Sequence, residues 1–393
     1  MTFDELKQMD DNYVMHTYNR FPIGIDHGKG ATVYDFDGKE YIDFTSGIGV
    51  NCLGYGNEGW ADAIYTQAKK LGHMSNLYYT EPCAQLAKTL CERTGMSKVF
   101  FGNSGAEANE GLIKLARKYS YDKYGEGRAT VITLKDSFHG RTITTLNATG
   151  QDQFHQYFFP FTQGFRYAKP NDFEDLKNQM GDDVCAVMLE VIQGEGGVNP
   201  LDPEYVKQVR DFCTENDVLM LVDEVQTGVG RTGSLFAFQG YDIMPDAASF
   251  AKGIAGGLPM GGVMASEKVK DVLGPGTHAS TFGGNPVVSA AGNYVLSQLD
   301  DELLQDVTSK GNYIRSQIEG SGSQFVDSVR GRGLMIGVGL VGIKNSDLCV
   351  SLMNRGLLTL TAGNNVLRLL PPLTISDEEM EKGLEFLLGL IGD

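Results

Sequence analysis

The sequence lacks paired cysteines, a long apolar run, a basic excess, an internal repeat and any low-complexity stretch. Its six cysteines (Cys52, Cys83, Cys91, Cys185, Cys213 and Cys349) are scattered without a C-x-x-C pair. In a chain this long they read as reduced thiols, which excludes a disulfide frame, and no metal site is expected. No apolar stretch approaches the ~18–20 residues that span a bilayer. A net charge of −17 excludes a nucleic-acid partner, whose phosphates need a basic face, and disfavours an anionic membrane surface. It leaves room for a phosphate-bearing cofactor, because backbone N–H groups bind phosphate even inside an acidic protein. The start, Met1-Thr-Phe-Asp-Glu, is polar and acidic and shows no secretory signal, so a cytoplasmic, soluble protein is expected. What is present is ordinary globular composition: 41% hydrophobic and 21% charged over 393 residues, enough for two or three domains.

The middle of the chain alternates short apolar runs with amphipathic patterns. Strands are expected at Lys98–Phe101, 129–134, Cys185–Leu189, 218–222 and 262–265. Leu112, Leu115, Ala116 and Tyr119 share one helical face, and Pro203 opens a helix reaching about Asn216. Strands separated by helices, without hairpin turns, predict a mainly parallel sheet covered on both faces. The ends read differently. Residues 31–36 and 40–44 flank Asp37-Gly38, a hairpin signature. Helices are expected at 286–299 and 301–319, then a β-like stretch at 332–340, then a helix with Met380, Leu384, Leu387, Leu388 and Ile391 on one stripe. The expected division is a small α+β domain built from both ends (1–56 and 286–393) beside a large α/β domain (57–285).

Six segments carry chemistry. A buried strand ends in Asp223, at the edge where open α/β sheets bind ligands. Alternation puts Val225 on the same side and Glu224 on the other, so a carboxylate could meet the edge of a flat heterocycle that a branched side chain covers. Lys252 lies between an apolar strand and a glycine-rich loop, and buried lysines form Schiff bases with carbonyl cofactors. Gly105 and Ala106 open a helix whose free N–H groups suit phosphate. Phe138 could stack on a ring, and Arg141 suits a carboxylate. Glu195 sits in a glycine-rich loop, and Ser280 and Thr281 offer hydroxyls. Each has a plainer reading alone: Asp223 as a turn cap, Lys252 as a surface cation, Ser104 as a helix cap, His139 as structural. Gly228-Val-Gly-Arg-Thr-Gly233 also spells the dinucleotide fingerprint of a nicotinamide oxidoreductase. That motif should follow its strand directly and open a helix, whereas five residues intervene between Val222 and Gly228.

In this order and combination the segments resemble the class III (ω-amino acid) aminotransferases of pyridoxal-phosphate fold type I, over nearly the whole chain from Val33 to Leu373. The resemblance implies a seven-stranded, mainly parallel sheet in the large domain and pyridoxal 5'-phosphate as cofactor. It implies Lys252 as the cofactor-linked acid–base catalyst and Asp223 as the partner of the ring nitrogen. Phe138 and Val225 would sandwich the ring, Gln226 would bond its phenolic oxygen, and Gly105 and Ala106 would hold the phosphate. Thr281 would complete the phosphate site from a neighbouring subunit, hence a homodimer with the site at the interface. Arg141, with Ser280 near it, would take a substrate carboxylate, and Glu195 with Arg368 would gate the exchange between substrates. Ser46-Gly-Ile-Gly-Val-Asn51, Ser75-Asn-Leu-Tyr-Tyr79 and Ser137-Phe-His-Gly-Arg-Thr142 are most similar to members acting on N2-acetylornithine. That implies this donor, with 2-oxoglutarate as acceptor. Ornithine, succinylornithine, succinyldiaminopimelate and 4-aminobutyrate are the alternatives within the family, and an aminomutase is one beyond transfer. Gly54-Tyr-Gly-Asn57 and Val191 depart from the family pattern, away from the cofactor set.

Overall fold

The computed structural model describes residues 1–392. At its centre lie seven strands: β1 (Lys98–Gly102), β2 (Thr130–Leu134), β3 (Phe165–Ala168), β4 (Val184–Leu189), β5 (Leu219–Asp223), β6 (Ala247–Phe250) and β7 (Gly261–Ala265). Their spatial order is β1-β7-β6-β5-β4-β2-β3. β7 runs antiparallel to β1 and β6, and the other pairs are parallel. The five expected apolar runs lie within a residue of β1, β2, β4, β5 and β7. β3 and β6 are not among them: β3, Phe-Arg-Tyr-Ala, is half-buried at the sheet edge, and β6, Ala-Ala-Ser-Phe, is buried but too short and small to mark a run.

Alternation assigns each strand residue to a face. On β5, Leu219 and Leu221 enter one apolar cluster and Met220 and Val222 the other, so the sheet is covered on both sides. Helix α1 (Gly105–Tyr124) covers the first face with Leu112, Ile113, Leu115 and Ala116. Asp223, two residues past Leu221, therefore emerges on the side of α1.

The chain ends meet. Thr32–Asp35 and Glu40–Asp43 form the expected hairpin, and Leu357–Leu358 joins it in parallel, Leu357 opposite Ile42. The helices Pro286–Gln298, Asp301–Gly320 and Asp377–Ile391 stand where periodicity places them. The expected single stretch at 332–340 is instead a hairpin of Val326–Arg332 with Met335–Leu340. Its first arm is half-exposed and mixed in polarity, so hydropathy misses it. Gly331, at φ +122, lets the two arms approach, since a Cβ there would lie 1.9 Å from the Met335 carbonyl oxygen. Among the described residues no helix is long and apolar enough to cross a membrane.

The dinucleotide-like segment opens no helix. Residues 228–236 form turns closed by Gly233 N–H to the Gly230 carbonyl and Gly230 N–H to the Leu235 carbonyl, which removes the oxidoreductase alternative. Its Arg231 is buried. Nη1 donates to the carbonyls of Leu334 (3.0 Å) and Pro371 (2.5 Å), and Nη2 to Ser46 Oγ (3.4 Å). No carboxylate pairs with it among the described residues, and burial pushes its pKa down to about 10.

Glu224 faces away from α1 and is fully buried, accepting from Thr227 Oγ1 (2.5 Å) and Phe238 N–H (2.7 Å). Burial raises its carboxyl to about 7. The folded chain thus binds this proton more tightly than the unfolded chain. The resulting stabilisation is full at low pH and is lost as pH rises from the ordinary carboxylate range to about 7. Glu224→Gln should remove on the order of 3 kcal/mol of that loss between pH 5 and 8, read by denaturant unfolding at both values. An unchanged pH dependence would count against a neutral Glu224.

Candidate active site

Loops leaving the C-terminal ends of β1, β2, β4, β5 and β6 close around a cavity of about 410 Å³, at the edge where parallel sheets bind ligands. Each strand delivers one piece: Asn103–Ala106 after β1, residues 138–141 after β2, Glu190 after β4, Asp223, Val225 and Gln226 at the end of β5, and Lys252 after β6.

Asp223 is buried and both its oxygens are engaged. Oδ2 accepts from Asn109 Nδ2 (2.7 Å) and meets His139 Nδ1 at 2.8 Å. Oδ1 accepts from Val225 N–H (2.9 Å) and Ser249 Oγ (3.3 Å). Burial opposes ionisation of this carboxyl, but the bond and charge of His139, with the other donors, hold its pKa below the usual range. Burial likewise opposes charge on His139, and the bond to Asp223 outweighs it, raising the imidazole. The pair is a fixed negative end with an aligned donor behind it.

Lys252 opens a short 3-10 turn at φ +46, a strained conformation for a residue with a side chain. Burial lowers its pKa; Glu195 and Asp223 oppose that and Arg368 adds to it. The neutral, nucleophilic amine is favoured accordingly. Across the cavity Gly105 and Ala106 begin α1, capped by Ser104, whose Oγ accepts from Glu107 N–H at 3.2 Å. First-turn N–H groups have no partner within their helix. Glycine at position 105 lets Val225 pack against the helix start, because a Cβ there would lie 2.8 Å from Val225 Cγ1. Phe138 also lines the cavity, its N–H donating to Glu190 Oε2 (3.0 Å) while Glu190 Oε1 accepts from Gly194 N–H (3.3 Å).

Beyond this cavity a wider cleft contains Arg141, Phe154, Glu195 and Lys252. Arg368 Nη1 donates to Glu195 Oε1 at 2.6 Å and to Gln226 Oε1 at 3.0 Å. Gln226 Nε2 also approaches Glu195 Oε1, at 3.4 Å. Arg368 is buried and Glu195 partly open. The expected residues Lys252, Asp223, Gly105, Ala106, Phe138, Val225, Gln226 and Arg141 thus share one cavity, with Glu195 and Arg368 joined at its border. Ser280 and Thr281 do not line it. Ser280 Oγ accepts from Asn103 Nδ2 (3.1 Å) and Gly283 N–H (3.0 Å), and Thr281 is exposed.

Sequence reasoning does not single out Asn109 or Glu190 and leaves His139 as structural. Asn109 had a readable sign: it is a polar residue one turn before Leu112 and Ile113 on the buried side of α1. His139 and Asp223 lie far apart in sequence, and nothing local announces their meeting.

The aminotransferase class-III family model matches residues 13–391. The acetylornithine aminotransferase of Haemophilus ducreyi is 50% identical over the full length of both chains. That of Caldanaerobacter subterraneus subsp. tengcongensis is 48% identical over 96% of this chain and 97% of the relative. Among solved structures, the ornithine aminotransferase of Toxoplasma gondii superposes with a TM-score of 0.95 at 34% identity, covering 99% of this chain and 94% of that one. The N-acetylornithine aminotransferase of Stenotrophomonas maltophilia gives 0.85 at 35% identity and 98% coverage of both.

Proposed function

The chain belongs to the class III aminotransferases, a pyridoxal-phosphate-dependent family, and from that premise we propose that it moves the terminal amine of N2-acetylornithine to 2-oxoglutarate. Full-length identity to acetylornithine aminotransferases carries the choice of donor.

The cavity suits pyridoxal phosphate on its own terms. His139 Nε2 and Asn109 Oδ1 are buried polar atoms without partners, on two residues that line the cavity and bind Asp223, and the missing Cβ at Gly105 keeps the helix start open. Asp223 would face the ring nitrogen, Val225 and Phe138 its two faces, Gln226 its phenolic oxygen, and Gly105 and Ala106 the phosphate. When bound, the cofactor supplies a carbonyl that takes up amines and a ring that accepts electrons from the amine-bearing carbon. Lys252 Nζ would hold the cofactor at its carbonyl carbon and would serve as the base for the proton on the amine-bearing carbon of the substrate. The lowered pKa of Lys252 favours the neutral form that this step requires.

Two arginines divide the substrate work. Arg141 binds the carboxylate common to donor and acceptor. Arg368, neutralised by Glu195 while the donor is present, serves the second carboxylate of 2-oxoglutarate when Glu195 swings away; the 2.6 Å pair supports this reading. Glu195→Ala should leave KM for 2-oxoglutarate unchanged or lower and reduce kcat/KM for the amino donor by about tenfold. Half-reactions followed separately by stopped-flow absorbance test this, and equal effects on both would count against the gate. A panel of ω-amino donors with 2-oxoglutarate, compared by kcat/KM, tests the donor itself; preference for unacylated ornithine would overturn acetylornithine.

The active unit in this reading is a homodimer. Leu77, Tyr79 and Phe282 are 87%, 105% and 60% exposed. Asn76 Nδ2 ties their segments together by donating to the carbonyls of Ser280 and Gly283, each at 3.0 Å. A second copy covering this apolar face would carry Thr281 to its neighbour's phosphate.

A further inference from the structure

The two arginines are held in opposite ways. Arg368 is buried against Glu195, whereas Arg141 is exposed and no hydrogen bond or ion pair to it exists among the described residues. What holds Arg141 is aromatic. Its Cζ lies 4.2 Å from the ring centroid of Phe154 and 5.5 Å from that of Phe138. The two rings meet edge to face, 5.9 Å apart at 72°. Phe154 ends a one-turn 3-10 segment, Asp152–Phe154. That segment is fastened to the Phe138 loop by Gln151, whose Nε2 donates to the Ser137 carbonyl at 3.0 Å. The neighbouring acid Glu110 is occupied by Thr142, whose hydroxyl donates to it at 2.7 Å.

We propose that Phe154 is a positioning residue for substrate carboxylates: an aromatic shelf that fixes the Arg141 guanidinium while leaving its N–H donors unspent. A carboxylate counter-ion would order an arginine equally well, but it would have to be displaced by every incoming substrate. A ring face attracts the cation without consuming its in-plane donors, and a planar guanidinium stacked on a ring keeps its fork open for bidentate binding. Phe138 lies under both the cofactor reading and this shelf; Phe154 belongs to the shelf alone, and through it the shelf is testable separately.

The inference rests on the reading that Arg141 binds the shared carboxylate, so the experiment separates the two. Phe154→Leu keeps an apolar side chain but removes the ring face. KM for the donor and for 2-oxoglutarate should both rise about tenfold with kcat within about twofold, the effect of losing a partly desolvated cation–ring contact. Binding of glutarate, a non-reactive dicarboxylate, to the pyridoxal-phosphate-loaded enzyme should weaken by the same factor in calorimetry, and Phe154→Tyr should restore it. Arg141→Ala is the control for the underlying reading. If Arg141→Ala weakens glutarate and Phe154→Leu does not, the shelf is overturned while the carboxylate site stands. If Arg141→Ala leaves glutarate binding intact, the carboxylate site itself falls. Should Phe154→Leu lose the loaded enzyme's visible band, Phe154→Met replaces it, with the same outcomes deciding.

Discussion

Lys252→Ala should lower kcat for transamination by at least about 10³-fold, since positioned acid–base catalysis alone is worth about 10²–10⁴. On the proposed reading two roles would be lost together: the hold on the cofactor and the base that takes the substrate proton. The structure explains why no neighbour substitutes. The titratable groups around Lys252 are Glu195, Asp223 and Glu190, with Arg368. Of these Asp223 is fully engaged by donors, Glu195 is paired with Arg368, and Glu190 accepts two backbone N–H groups. A small primary amine added to the Lys252→Ala enzyme should return part of the rate, because the vacated volume is that of an alkylamine. The pyridoxal-phosphate band should also shift on reconstitution. A variant keeping more than about a tenth of the wild-type kcat would remove Lys252 from the proton-transfer role.

Asp223→Asn should cost about 10³-fold in kcat/KM. A unit charge pair about 4 Å apart at an effective dielectric near 20 is worth ~4 kcal/mol, equivalent to about three pKa units on the ring nitrogen and about three decades in rate. The substitution is close to isosteric, yet it is not silent locally. The carboxylate accepts four contacts, and an amide nitrogen would face either Asn109 and His139 or Val225 and Ser249. Asp223→Glu keeps the charge and should do better than Asn in kcat while binding the cofactor less tightly, because the longer side chain meets the same fixed donors. Cofactor affinity by fluorescence and kcat/KM by steady state separate charge from geometry. An Asp223→Asn enzyme within tenfold of wild type would sink the ring-nitrogen pairing.

Much of the framework is legible in the sequence because physics repeats there. Fully buried parallel strands are largely apolar, so β4 and the Leu219–Val222 part of β5 stand out as uninterrupted runs, and β2 is broken only by Thr130 and Thr133. Their C-terminal ends then point to Asp223 and to the residues after Leu134 and Leu189. Helix α1 declares itself through Leu112, Leu115 and Ala116. What hydropathy misses is either half-exposed, as β3 at its sheet edge and the Val326–Arg332 arm of the last sheet, or buried but only four residues long, as β6 and Val366–Leu369. At the site, sequence shows which residues have chemistry but not which of them meet. The bracket around Asp223 is assembled from α1, the β2 loop and β6, and Phe154 reaches Arg141 only through the fold of a short turn.

Arg231 has a consequence for how the molecule comes apart. Its cation rests on carbonyl dipoles contributed by Leu334 and Pro371, with Ser46 beside them, while its own backbone belongs to the turn after β5. Peeling the terminal sheets from the central one would strand a dehydrated charge with nothing to solvate it until water floods the seam. Loss of either layer would break contacts to the same buried cation, so unfolding of the terminal sheets and of the central sheet should be coupled.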